Sequence, residues 1–389
     1  MCCYISSNDN RIYAALESGY GTVAAFTAQQ RLPAIKLDVR QATDQLRRRD
    51  KTGGRTFLGL PAAIRRRTTF DLATYLTEWP ADASAPPYSA LVRAAMGGAG
   101  LAFTGRTIGA VPDARRLTFT VAHGLIPGQA VRYQTEIRFV EAIVSGTTIV
   151  INAPFSSNPT VGSQAGRTVT YFPATSLPSA SIFDYWSPQE AVQRILAGSA
   201  VDRMKIRVNG DFHQLSFAGT AREVIDSSTF ASGQGELTEF PAEPAVTGQF
   251  SLVPGSLGEA WFGASPSQFH TLLAAEVTLD NNIDTREREF GMQKPGCFAA
   301  GERKVTVDLD ILSDCKPETL ALYQAAVQRS PVSVMFQLGQ AEGHLCGVWL
   351  NQVVPEVPEF ADDETRLRWR FRESRAQGAG NDEMVIAFA

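Results

Sequence analysis

No stretch of this chain approaches the ~20 consecutive apolar residues that cross a bilayer. Residues Met1 to Asn10 lack a basic segment followed by an apolar one, so export by the general secretory route is not expected. Histidine is scarce: His123, His213, His270 and His344 are the four, and none sits in an HExxH arrangement. There is no CxxC pair either. His344-x-Cys346 supplies two potential ligands without a second pair, so neither a metal nor any other cofactor is expected. The five cysteines are odd in number and scattered apart from Cys2-Cys3, which suits free thiols in a reducing compartment. No Gly-x-Ser-x-Gly elbow is present, and Gly97-Gly98-x-Gly100 follows a helical pattern, as a helix stop does and a phosphate cradle does not. The chain also lacks an excess of Lys and Arg: its net charge of -4 argues against general nucleic-acid affinity. An enzyme is therefore not expected.

What is present is β pattern. With 389 residues the chain has room for two or three domains, and 44% apolar against 20% charged content fits a soluble globular protein. In 303–312, Val305, Val307, Leu309 and Ile311 alternate with Thr306, Asp308 and Asp310, the period of a half-buried strand. Leu367, Trp369 and Phe371 alternate with Arg366, Arg368, Arg370 and Arg372. Met204, Ile206 and Val208 form another such face, as do Ile35, Leu37 and Val39. Only 88–97 and 317–328 read as helices, each short, Ala-rich and amphipathic.

These elements recur in order. Ala90-Leu91-x-x-Ala94-Ala95 returns as Ala321-Leu322-x-x-Ala325-Ala326. Arg67 to Leu72 resembles Lys304 to Leu309, and the strand at 35–39 resembles that at 275–279. Ser181 to Trp186 resembles Ser333 to Leu338, and Leu215-Ser216-Phe217 resembles Trp369-Arg370-Phe371. The spacing shortens between helix and last strand, so the first copy carries roughly 77 extra residues. They are placed at 102–178, where Val131 to Val140 and Thr147 to Ile151 read as strands and Gly128 and Gly146 as turns. The expected division is a first domain over 1–101 and 179–228, an inserted small β module over 102–178, a connector over 229–272 and a second domain over 273–389.

Two charged features stand out. Arg47, Arg48, Arg49, Lys51 and Arg55 form a basic loop, and the corresponding loop of the second copy carries Arg286 and Arg288. Such loops could touch DNA phosphates or an acidic patch on a neighbouring subunit; the acidic overall balance favours the subunit. Both exceed the usual hairpin length, and both are expected to order on assembly against an adjacent ring. Asp71, Asp308 and Asp310 lie on strand faces opposite apolar ones. A solvated or interface face fits that alternation better than an acid–base pair. Cross-strand pairing with Arg366 to Arg372 is the alternative to a free acidic surface.

At this point the residues resemble a family. Glu17-Ser18-Gly19-Tyr20-Gly21-Thr22 is similar to the arm near the start of bacteriophage tail tube proteins. Asn209-Gly210-Asp211-Phe212 through Leu215-Ser216-Phe217-Ala218-Gly219 resembles the second half of such domains, and Gly380 to Phe388 resembles their closing strand. The resemblance covers most of the chain outside 102–178 and 229–272. It implies a mainly β fold: two tandem tail-tube-like β-sandwich domains, each with one flanking α-helix. It also implies a structural virion protein, assembled in the host bacterial cytoplasm. Its rings would stack into the hollow tail tube of a long-tailed, siphovirus-type phage. Two domains per chain imply a trimeric, pseudo-sixfold ring. The implied partners are other copies of the chain, a tape measure protein, tail terminator and distal tail proteins, and DNA in transit, with no membrane insertion. On this reading Asp71, Asp308 and Asp310 are candidates to line the lumen. Another phage tail or injection-machine component of the same fold, such as a distal tail protein, is the alternative, and a carbohydrate-binding β-sandwich is a more remote one.

Overall fold

In a computed structural model, all residues are described except 1–3, 45–48, 52, 58, 60–64, 80–83, 247, 248, 264, 265 and 364. The chain is mainly β, with two α-helices among the described residues. It begins with β1 (Asn10–Leu16), β2 (Arg31–Leu32), β3 (Ala34–Thr43), β4 (Arg66–Tyr75), α1 (Ser89–Met96) and β5 (Leu101–Phe103). Six strands follow: β6 (Arg106–Asp113), β7 (Arg116–Phe119), β8 (Ala130–Tyr133), β9 (Glu136–Ile143), β10 (Thr148–Ile151) and β11 (Gln164–Ala165). Next come β12 (Thr168–Tyr171), β13 (Ala180–Trp186), β14 (Arg194–Val208), β15 (Gln214–Ala221) and β16 (Glu223–Asp226). The remainder holds β17 (Gly258–Phe262), β18 (Ser267–Gln268), β19 (Leu272–Asp280), β20 (Asp284–Thr285), β21 (Phe298–Ala299), β22 (Lys304–Leu312) and α2 (Pro317–Gln328). It closes with β23 (Val332–Leu338), β24 (Cys346–Val354), β25 (Glu359–Asp363), β26 (Arg366–Gln377) and β27 (Val385–Phe388).

The order of strand pairing occurs twice. In the first half β3 pairs β4, β4 pairs β15, β15 pairs β14, and β14 pairs both β13 and β16, while β13 pairs β1. In the second half β19 pairs β22, β22 pairs β26, β26 pairs β24, and β24 pairs both β23 and β27, while β23 pairs β17. The registers agree: Phe217 faces Leu72 as Phe371 faces Leu309. Alternation explains the strand faces, since successive side chains point to opposite sides. Val305, Val307, Leu309 and Ile311 are buried to the last few per cent. On the same side, α1 buries Leu91, Val92 and Met96, each contributing about 1.5–3 kcal/mol. α1 stops at Gly97, whose φ of +90° costs glycine nothing and whose N–H donates to the Arg93 carbonyl at 2.7 Å.

Several expectations need correction. Ile35 is 42% exposed, because a bulge at 34–36 turns it off the Leu37–Val39 face, and Leu367 is 43% exposed at the end of β26. Val131 to Val140 is a hairpin rather than one strand, turning at Gln134 with φ +50°. The separate sheet, in the order β11-β6-β7-β10-β9-β8, spans 106–165. Within the expected 102–178, β12 instead joins the large sheet against β5 and β27. Within the expected connector, β17 pairs with β23 of the second half and with β18.

The separate sheet is not peripheral to the rest. Ala130, Ile137, Phe139 and Ala153 pack on Trp261, Met335, Leu345, Trp349, Val385 and Ala387, with Phe139 stacked on Trp349 at 5.7 Å. Arg138 is fully buried at this contact. Its guanidinium meets Glu136 at 2.5 Å and Glu259 at 3.1 Å, and lies 5.1 Å from the Trp261 ring. The matching face of the first half, with Tyr13, Phe183, Tyr185 and Ile195, is covered instead by Val23, Phe26, Phe230, Leu237 and Phe240.

Candidate assembly interface

The two halves meet edge to edge. β14 pairs antiparallel with β19, with Arg203 opposite Asp280, Met204 opposite Leu279, Lys205 opposite Thr278, Ile206 opposite Val277 and Arg207 opposite Glu276. Met204, Ile206, Val277 and Leu279 are buried in the shared core. The other face of this junction is a charge ladder. Arg203 reaches Asp280 at 2.5 Å, Lys205 reaches Glu276 at 2.6 Å, and Arg207 reaches the same carboxylate at 3.5 Å. Partial burial raises the Glu276 pKa, but the Lys205 and Arg207 charges outweigh it and hold the carboxyl below its usual range.

This junction makes one sheet path of β3-β4-β15-β14-β19-β22-β26-β25. Among the described residues, β3 is paired only on its β4 side and β25 only on its β26 side. The path therefore ends in two open edges. An unpaired edge presents free backbone donors and acceptors to a further strand. Beside the β25 edge, Phe360 is 59% exposed and its ring lies tilted against Trp369 at 5.6 Å. On β3, Leu37 and Val39 are only half-buried, whereas Ala275 and Val277 of β19 are buried between two neighbours.

The sequence-derived candidates fall as follows. Asp71 is exposed, with Lys36 3.9 Å away. Asp310 is bridged by Arg368 at 3.2 Å and Arg372 at 3.3 Å. Asp308 accepts the Glu373 backbone N–H at 2.7 Å, with Arg372 at 4.0 Å. The expected free acidic surface is thus corrected: Asp308 and Asp310 belong to a ladder of alternating sign, because β26 places its arginines directly across from β22.

Arg47 and Arg48 lie outside the described residues. Arg49, Lys51, Arg55, Arg286 and Arg288 are exposed. The loop carrying Arg286 and Arg288 contains the β20–β21 hairpin and has anchors within the chain, contrary to the expectation that it orders only on assembly. Arg65 donates to the Met292 and Glu289 carbonyls, both at 3.3 Å, Arg67 pairs with Glu287 at 3.2 Å, and Lys294 bridges Glu223. Phe290 stands fully exposed at its tip.

The motif residues that carried the resemblance have structural work. The Glu17 carboxylate accepts from the backbone N–H of Gly21 at 2.9 Å and of Gly198 at 2.7 Å, and from the hydroxyls of Ser179 at 2.6 Å and Ser181 at 2.7 Å. It pins the turn after β1 to β13 and β14. Asn209 and Gly210, with φ of +69° and +121°, turn β14 into β15. His344 and Cys346 do not converge: the His344 ring lies 3.0 Å from Ser251 Oγ, while Cys346 is buried and its thiol pKa pushed up by that burial. No group of three or more potential metal ligands occurs among the described residues.

No protein-family model matches the chain, and no curated protein matches it. The β25 edge was missed in the sequence because Glu-Phe-Ala-Asp-Asp is short and acidic and carries no alternation long enough to read.

Proposed function

We propose that this chain is a self-assembling structural subunit whose two tandem tail-tube-like β-sandwich units close with other copies into rings, and that the rings stack as the tail tube of a long-tailed phage. The observation that carries this reading is the β14–β19 junction. One chain already joins two like sheets through antiparallel edges, and it leaves an open edge of each kind at the two ends of the path. A heterologous contact repeated by rotation closes a ring and abolishes the edges. Eight strands per chain make about 24 in a trimer. At about 4.8 Å per strand the barrel is then roughly 37 Å across even before strand tilt widens it. A dimer's 16 strands give only roughly 24 Å on the same basis, too narrow for a duplex once inward side chains are counted. The polar face carrying the charge ladder would line the lumen. Its alternating sign offers no continuous basic track to hold phosphate.

In this role the tube would hold a tape measure protein during assembly, meet terminator and distal tail proteins at its ends, and conduct DNA in the virion. Mass measurement on purified rings, together with negative-stain images, tests the reading. Three chains per ring and long hollow tubes are expected. A protein that stays monomeric at every concentration would refute it.

A further inference from the structure

The two open edges carry opposite charge, and the internal junction shows how they would meet. The repeated pairing maps β25 onto β14, since Phe360 faces Trp369 as Ile206 faces Leu215. It maps β3 onto β19, since Val39 faces Phe70 as Val277 faces Val307. Ile206 lies opposite Val277, and Lys205 opposite Thr278. Carried over, Phe360 of one copy lies opposite Val39 of the next, and Glu359 opposite Arg40. Both members of the second pair are exposed and on the polar face.

Resting on the ring reading above, we propose that β25 of one copy pairs antiparallel with β3 of a second copy in this register, and that edge charge makes the contact heterologous. On the polar face β25 presents the exposed Glu359, with Asp362 exposed on the opposite face; β3 presents Lys36 and Arg40 around a single acid, Asp38, on its polar face. Two β25 edges meeting about a two-fold axis would set acid against acid. Two β3 edges would set base against base. Like charges directly opposite on paired strands are destabilising, whereas Glu359 against Arg40 is favourable. Either two-fold pairing would end growth as a dimer, so the edge charges direct the chain towards ring closure. The polarity is the reverse of the internal junction, where β14 bears Arg203, Lys205 and Arg207 and β19 bears Glu276 and Asp280.

Paired cysteines test the register. Directly opposite Cα atoms in an antiparallel pair lie about 4.5–5.5 Å apart, within disulfide reach, whereas residues two positions off lie about 7–8 Å apart. Under mild oxidation Val39→Cys with Phe360→Cys should yield intermolecular dimers and covalently closed trimers on a non-reducing gel. Gln41→Cys with Phe360→Cys should yield at least fivefold less, and the unsubstituted chain, which controls for its native thiols, none of this ladder. Charge is tested separately. Arg40→Glu alone should slow ring formation at least tenfold without lowering the melting temperature of the monomer, since Arg40 lies opposite Thr69. Glu359→Arg should slow it likewise but at some cost to that temperature, since it sets an arginine opposite Arg370. The two together should restore assembly. Rings that form normally but link more efficiently in the Gln41→Cys pair than in the Val39→Cys pair overturn this inference and leave the ring reading standing. Single charge variants that assemble at the wild-type rate do the same. A wild-type chain that never assembles overturns both.

Discussion

Replacing Arg138 with methionine removes a fully buried cation at the seam between the inserted sheet and the second half of the chain. The guanidinium has no solvent exposure, and its partners Glu136 and Glu259 have side chains only 14% and 11% exposed. Burial lowers the Arg138 pKa, and the two carboxylates pull it back up. Its Nε also donates to the Pro154 carbonyl at 2.9 Å, and Nη1 to the Ile137 carbonyl at 2.8 Å. Methionine keeps most of the volume but leaves two buried carboxylates without a counter-charge. Breaking a buried pair from one side costs about 3–5 kcal/mol. For a chain of this length unfolding as one unit, that lowers the melting temperature by roughly 4–6 °C. Removing the whole charged set together, with Glu136→Gln and Glu259→Gln added to Arg138→Met, should recover most of the loss, because replacing an entire buried ion cluster is often near neutral. Tryptophan fluorescence is the assay, since Trp261 lies 5.1 Å from the guanidinium and reports this seam directly. The reasoning fails if Arg138→Met unfolds within about 1 °C of wild type, or if the triple variant is no more stable than the single one.

Two further outcomes follow from burial. Excising the inserted sheet, residues 104–166, with a short Gly-Ser bridge should give aggregated protein rather than assembly-competent subunits. The excision bares Trp261, Met335, Leu345 and Trp349 as one apolar patch; soluble, folded product that forms tubes would show the sheet to be dispensable. His213 is buried, its Nε2 lies 2.8 Å from the Leu257 carbonyl, and burial lowers its pKa. The folded state therefore disfavours the proton: His213 leaves stability intact above about pH 6.5 and erodes it as pH falls below that value. Urea midpoints at about pH 7.5 and about pH 5.5 should differ more for wild type than for His213→Asn, and equal differences would exclude this histidine as a source.

What the amino-acid order determined by itself is the local periodicity. Val305, Val307, Leu309 and Ile311 point one way because a strand has period two, and that pattern needs no partner to be read. The two helices and the Gly97 stop were legible for the same reason, and so was the correspondence of Phe217 with Phe371. The tertiary structure decided everything that depends on who the neighbour is. Ala275 and Val277 are buried where Leu37 and Val39 are half-exposed, although both strands carry apolar faces, because β19 has a strand on each side and β3 on one. Trp261 and Trp349 lie beneath an inserted sheet, while Tyr13 and Phe183 lie beneath the segments around Phe26 and Phe240. Hydrophobic pattern names the face that must be covered. What covers it comes from residues far away in the chain, brought there by long-range contacts that no local periodicity encodes.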